Sequence, residues 1–158
     1  MKKKTIIWVT IPLLLVGFII VNWNYISQYA EWRLNWGFEV PKPIKIETVF
    51  NTRYGFPNEG QTFLVLDYNA IENKIKGEEG WIPINGESFD TVSNLLETFQ
   101  KDVADINDDT QNFKRLFQEN TVTYNNNDRY FYKLEDNSYI LAISNTKEQK
   151  LFVMEWIQ

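Results

Sequence analysis

From Thr5 to Trp23 the chain reads TIIWVTIPLLLVGFIIVNW, with no charged residue, and only Met1-Lys2-Lys3-Lys4 precedes it. As a helix, that run spans about 28 Å at ~1.5 Å per residue, close to the ~30 Å hydrocarbon core of a bilayer. Pro12 lies inside the run, where a membrane helix tolerates it as a mild kink. A cleaved leader is the competing reading. It has a shorter apolar core followed by a small-residue cleavage site. Here Asn22, Trp23, Asn24, Tyr25 and Ile26 follow, most of them too large for such a site, and Gln28 spoils the position before Ala30. Length and flank favour an uncleaved anchor. Three lysines before the span, against Arg33 alone soon after it, place the N-terminus in the cytoplasm and the remainder outside.

After the span the period stays helical. Tyr25, Tyr29, Trp32 and Trp36 are spaced four, three and four apart, so a helix sets them on one face, with Trp23 at its start. Aromatic rings with one polar atom suit the headgroup layer, which makes these five a membrane-interface stripe. Burial of the stripe as ordinary core is the alternative. Gly37 stops the helix, and Pro41 and Pro43 make a short stiff spacer.

From Ile44 the period is two. IKIETVF sets Ile44, Ile46, Thr48 and Phe50 on one side of a half-buried strand, and TFLVLDY (Thr62 to Tyr68) is a second strand that can pair with it. Asn51 to Gln61 between them is a loop broken by Gly55, Pro57 and Gly60. Asn69 to Lys76 allows one or two helical turns, and Trp81-Ile82-Pro83-Ile84 is extended. Phe89, Val92, Leu95, Leu96, Phe99, Val103 and Ile106 keep helical spacing from Ser88 to Ile106, with Ser88 or Asp90 as cap; Gln111 to Gln118 is a shorter helix. Arg129 to Leu134, Tyr139 to Ser144 and Lys150 to Trp156 are β-rich, and the short polar turns between them imply an antiparallel meander. The expected fold class is α+β: a mostly antiparallel sheet with one long and one short helix on one face, after a single N-terminal transmembrane helix. The expected organisation is a basic flank (1–4), a span (5–23), an aromatic helix with Pro spacer (24–43) and an extracytoplasmic domain (44–158).

Composition narrows the chemistry. Neither histidine nor cysteine occurs among the 158 residues. That removes Ser-His-Asp and Cys-His catalysis, thiolate metal sites and disulfides. Lys+Arg 16 against Asp+Glu 21 gives a net charge of -5; without Lys2, Lys3 and Lys4 the balance is 13 against 21, or -8. An acidic exterior argues against nucleic acid. No cofactor motif is present. Asp105 to Gln111 superficially resembles a calcium loop, but Thr110 stands where an EF-hand needs glycine and Leu116 where it needs glutamate.

The stretches RYGFPNEGQTFLVL (Arg53 to Leu66), WIPI (Trp81 to Ile84) and the terminal YILAISNTKEQKLFVMEWIQ together resemble a group of small membrane-anchored proteins of Gram-positive bacteria with no assigned activity. The group's pattern often has an acidic residue at Asn58 and a small residue or histidine at Tyr54. The resemblance implies the location and the α+β fold and supplies no chemistry.

The loop Asn51 to Gln61 is the best candidate for recognition. Arg53, Tyr54 and Phe56 set a charge and two aromatics on a glycine-punctuated loop, a composition favoured in binding hot spots. The structural alternative has Phe56 plugging the sheet end and Arg53 paired with a nearby carboxylate. The expected function is a non-enzymatic binding or accessory module on the outer face of the cell membrane. Its partners would be the lipid bilayer and another envelope protein. Two alternatives are a carboxylate-dependent hydrolase of envelope polymers, built on pairs such as Glu78-Glu79 or Glu59 with Asp67, and an immunity-type protector of the producer's membrane.

Overall fold

The computed structural model describes residues 28–53, 58–75, 78–107 and 109–158. The predicted basic flank and membrane span, with Trp23, Tyr25, Tyr54 and Phe56, lie outside them. Among the described residues, no helix is long and apolar enough to cross a membrane. The chain forms two compact units, Met1–Val40 and Pro41–Gln158.

In the first unit, residues 28–36 are helical (α1). Gly37 ends this helix with φ +62, its N–H bonding the Arg33 carbonyl at 3.0 Å, the left-handed cap expected of glycine at that position. Trp32 meets Tyr29 and Phe38 edge to face at 5.6 and 5.4 Å.

The second unit is α+β. Six antiparallel strands, β1 (Lys45–Asn51), β2 (Gly60–Asp67), β3 (Ile82–Pro83), β4 (Arg129–Glu135), β5 (Ser138–Asn145) and β6 (Lys150–Ile157), form one sheet in the order β1-β2-β6-β5-β4-β3. The first hairpin and the last three strands follow the sequence pattern. The C-terminal strand joins them by lying between β2 and β5. Pro83, which lacks a backbone donor, sits in the two-residue strand at the outer edge, where a missing donor costs least. Between strands run α2 (Glu72–Ile75), α3 (Phe89–Ile106) and α4 (Thr110–Glu119).

Val92, Phe99 and Val103 of α3 and Phe113 of α4 are buried in one core with Phe50, Phe63, Leu141, Phe152 and Met154 of the sheet. Aromatic rings dominate it. Phe50 meets Phe113 at 5.0 Å and Phe117 at 5.7 Å, and Phe63 stacks on Phe117 at 5.7 Å. Strict alternation would keep Phe50 on the side of Ile46 and Thr48. A bulge in β1 overturns that expectation: Ile46 and Thr48 face Leu66 and Leu64, whereas Phe50 faces Phe63 and turns to the helices. The α3 cap also differs. Ser88 makes no capping bond from its side chain; Asn85 Oδ1 instead accepts the Glu87 and Ser88 N–H groups at 2.9 and 3.1 Å.

The face away from α3 and α4 is buried too. Leu64, Leu66, Ile140, Ala142, Leu151 and Val153 are each 5 % exposed or less. Trp81 packs on Phe131 of that face at 6.1 Å, and Gly80 (φ +83) approaches so closely that a Cβ would stand 2.6 Å from the Phe131 ring.

Candidate functional site

At one end of the sheet, β1 turns toward β2 and the backbone is fixed residue by residue. Asn51 Oδ1 accepts the Arg53 N–H at 2.8 Å and the Thr62 hydroxyl at 3.3 Å. Thr52 and Gln61 are tied four ways: Thr52 N–H to the Gln61 carbonyl (2.9 Å), Gln61 N–H to Thr52 Oγ1 (2.8 Å), and Thr52 Oγ1 to Gln61 Oε1 (2.9 Å) and to the Gln61 carbonyl (3.3 Å). Gly60 has φ +136, and a Cβ there would lie 2.9–3.0 Å from Thr52, partly from its backbone. Only glycine fits that position.

Arg53 folds back onto the sheet. Its Nη1 donates to Glu155 Oε2 at 2.8 Å, and its Nε donates to the Asn58 carbonyl at 3.3 Å. The two charged side chains are 6 % and 1 % exposed. Glu155 stands between Thr62 of β2 and Ile140 of β5, on the face opposite α3 and α4. This corrects the expectation for Arg53. Its guanidinium neutralises a buried carboxylate and is not offered to a partner. Removing one member of such a pair typically costs 3–5 kcal/mol, because the other charge is left buried alone. A signal was present: Glu155 is the one charge in the apolar run LFVMEWI, and a carboxylate in a buried strand demands a cation.

An open cleft of about 500 Å³ adjoins this end, with Thr52, Glu59, Gln61, Ile106, Asn107 and Ile157 in its walls. Gln61 is 3 % exposed, while Ile106, the last residue of α3, is 58 % exposed. The Gln61 amide orientation is set by its neighbours. Thr52 Oγ1, besides accepting the Gln61 N–H, donates to the amide oxygen at 2.9 Å and reaches the Gln61 carbonyl at 3.3 Å. Asn107 Nδ2 donates to the Val103 carbonyl at 2.7 Å and reaches the same amide oxygen at 3.4 Å. The sequence reading missed Gln61, Ile106 and Asn107. Ile106 keeps the spacing of the buried face of α3, so the sequence carried no sign that it would be left exposed.

Of the expected interface stripe, Trp32 and Trp36 are 1 % and 3 % exposed. Tyr29 is half-buried.

The carboxylates do not assemble a hydrolytic pair where the sequence suggested one. Glu59 immediately precedes the eight-residue β2 and Asp67 is its last residue, so the two stand about 26 Å apart at ~3.3 Å per residue. Glycosidase carboxyls stand within roughly 10 Å. Glu78 and Glu79 are exposed. The buried Asp128 is saturated, accepting from Thr146 N–H and Oγ1 (both 2.7 Å) and from Asn125 N–H and Nδ2 (2.7 and 2.9 Å), so it fastens two loops. In the calcium-like stretch, Asp109 Oδ1 caps α4 through the Asn112 N–H, and Asp105 pairs with Lys101 at 2.7 Å. Among the described residues, no group of three or more metal-ligating side chains occurs.

Among the described residues, Tyr139 has the most displaced titration. Burial foremost, then the Asp102 carboxylate that its hydroxyl bonds at 3.0 Å, push its pKa far above the ordinary tyrosine value of 10.0. On the surface, a hydrogen bond and charge attraction raise Lys45 and lower Glu47.

No protein-family model, curated protein or solved structure matches this chain.

Proposed function

We propose that the protein is a single-pass membrane protein, N-terminus inside, which holds an acidic α+β domain outside the membrane as a non-enzymatic binding or accessory module for another envelope protein. Support for the anchor is the uncharged Thr5 to Trp23 run headed by three lysines. The observation that carries the binding reading is the rigid root of the β1–β2 connection: a buried Arg53–Glu155 pair, the Thr52–Gln61 bonds and an obligatory Gly60, all beside an open cleft. Loops held on rigid strands are where recognition concentrates. With Arg53 committed to Glu155, contact with the partner falls to Tyr54 and Phe56. The resemblance to anchored Gram-positive proteins agrees with this placement. A hydrolase draws no support from the separation of Glu59 and Asp67.

The test is crosslinked recovery of a partner from membranes, comparing the natural protein with Tyr54→Ala and Phe56→Ala. Both substitutions are expected to reduce the recovered partner while leaving the thermal midpoint of the protein unchanged. Equal recovery from all three would overturn the site.

A further inference from the structure

We infer that the cleft beside the β1–β2 connection binds an extended peptide segment with a basic side chain next to an apolar one, supplied by the partner. This rests on the reading that this end of the sheet is the recognition end.

The first support is Gln61. Its side chain is almost wholly buried in the cleft wall, and its amide oxygen is taken by Thr52 and Asn107. Both N–H groups of its amide nitrogen are without an acceptor among the described residues. A donor held in the wall of a cleft suits a carbonyl oxygen, which every peptide unit provides. The second support is Ile106, left largely exposed and standing with Ile157 in the same walls. It offers an apolar surface that a neighbouring leucine-like side chain would cover. The third is charge. Glu59 is exposed at the cleft, and the chain after Lys4 holds 13 basic residues against 21 acidic ones. That field draws cations and repels a carboxylate, although a carboxylate would otherwise satisfy Gln61. Carbonyl acceptor, apolar group and cation occur together in a peptide with adjacent apolar and basic residues. A neutral sugar lacks the cation.

The experiment follows amide NMR signals of the isotope-labelled full-length chain in detergent micelles as blocked peptides are added. The probes are acetyl-Gly-Leu-Lys-Gly-amide, its Lys-to-Glu counterpart and a chito-oligosaccharide. The basic peptide is expected to shift the Gln61 side-chain amide and the Gly60 and Ile106 backbone signals saturably. Binding of the acidic peptide is expected to be weaker by about tenfold or more. Ile106→Ser and Glu59→Lys alter exposed side chains; both are expected to weaken binding with the thermal midpoint intact, and Glu59→Lys to reverse the charge preference. Absence of a saturable Gln61 shift, equal binding of both peptides, or shifts from the sugar alone would overturn the inference. Partner recovery lost in Tyr54→Ala and Phe56→Ala without a peptide response would sink this inference and spare the proposed function. A peptide response with recovery unchanged would do the reverse.

Discussion

Thr62 and Phe63 are adjacent in β2 and point to opposite faces of the sheet, where they meet different surroundings. Phe63 enters a pack of rings with Phe50, Phe117 and Phe152. Thr62 lies across from Glu155, in a row where Asn51, Arg53 and Glu155 exchange hydrogen bonds and charge amid Leu64, Ile140 and Val153. The first face is stabilised by area and shape, which tolerate gradual change. Charge compensation holds the second at this end, and it fails when one partner is lost. The face that holds the loop root is the one built on compensation, so the loop's position depends on a contact 102 residues away in sequence.

The largest expected effects contrast the two faces directly. Phe99→Ala removes a fully buried ring from the helix-covered core and is expected to cost about 3–5 kcal/mol, read from urea unfolding. Glu155→Leu alone is expected to cost about as much, by stranding Arg53. The faces separate in the double variant. Arg53→Met with Glu155→Leu should recover most of the loss, since apolar replacement of a whole buried pair is often neutral or stabilising. No second substitution should rescue Phe99→Ala that way. A double variant no more stable than Glu155→Leu would break the comparison.

Gly60→Ala sharpens it at the loop root. A side chain at φ +136 and within 3.0 Å of Thr52 is expected to cost on the order of 1–3 kcal/mol and to disturb NMR signals of Asn51 to Gln61 before those of the ring cluster. Tyr139→Phe should cost about 0.5–1.5 kcal/mol near neutral pH through its lost bond to Asp102. Its sharper signature is pH. The folded protein holds the Tyr139 proton more tightly than the unfolded chain, so this contribution is complete below about pH 10 and declines as pH rises further. The natural protein should therefore lose stability between pH 9 and about pH 11 more steeply than Tyr139→Phe. Parallel losses would show that Tyr139 ionises as readily in the fold as in the open chain. At the small end, Lys101→Ala breaks an exposed ion pair with Asp105 and should leave the unfolding midpoint unchanged.

Much of the fold was legible because its signals are local. Three-and-four spacing marked α3, two short polar turns marked the final meander, and Gly37 marked the end of α1. The insertion of β6 between β2 and β5 is a long-range pairing with no local trace. The bulge that turns Phe50 inward interrupts the alternation on which strand reading depends. Burial of the second face did leave a trace: FLVL and LFVM are unbroken apolar runs, the pattern of a strand covered on both sides. At the candidate site, composition pointed to the loop and read Arg53 as a contact residue, because an arginine on a loop looks the same whether it faces solvent or a buried glutamate. The cleft beside it draws on β2, α3 and β6, so it becomes visible only once they are assembled.

Because the natural chain has no cysteine, a single introduced one reports which side of the membrane it occupies. Asn137→Cys places it on the exposed turn between β4 and β5, and Lys3→Cys places it in the N-terminal flank. With a membrane-impermeant maleimide on intact cells, the anchored, outward-facing arrangement requires labelling at 137 and none at 3 until the cells are opened. Protection at 137 with labelling at 3, or recovery of the labelled chain free in the medium and shortened at its front, would contradict it.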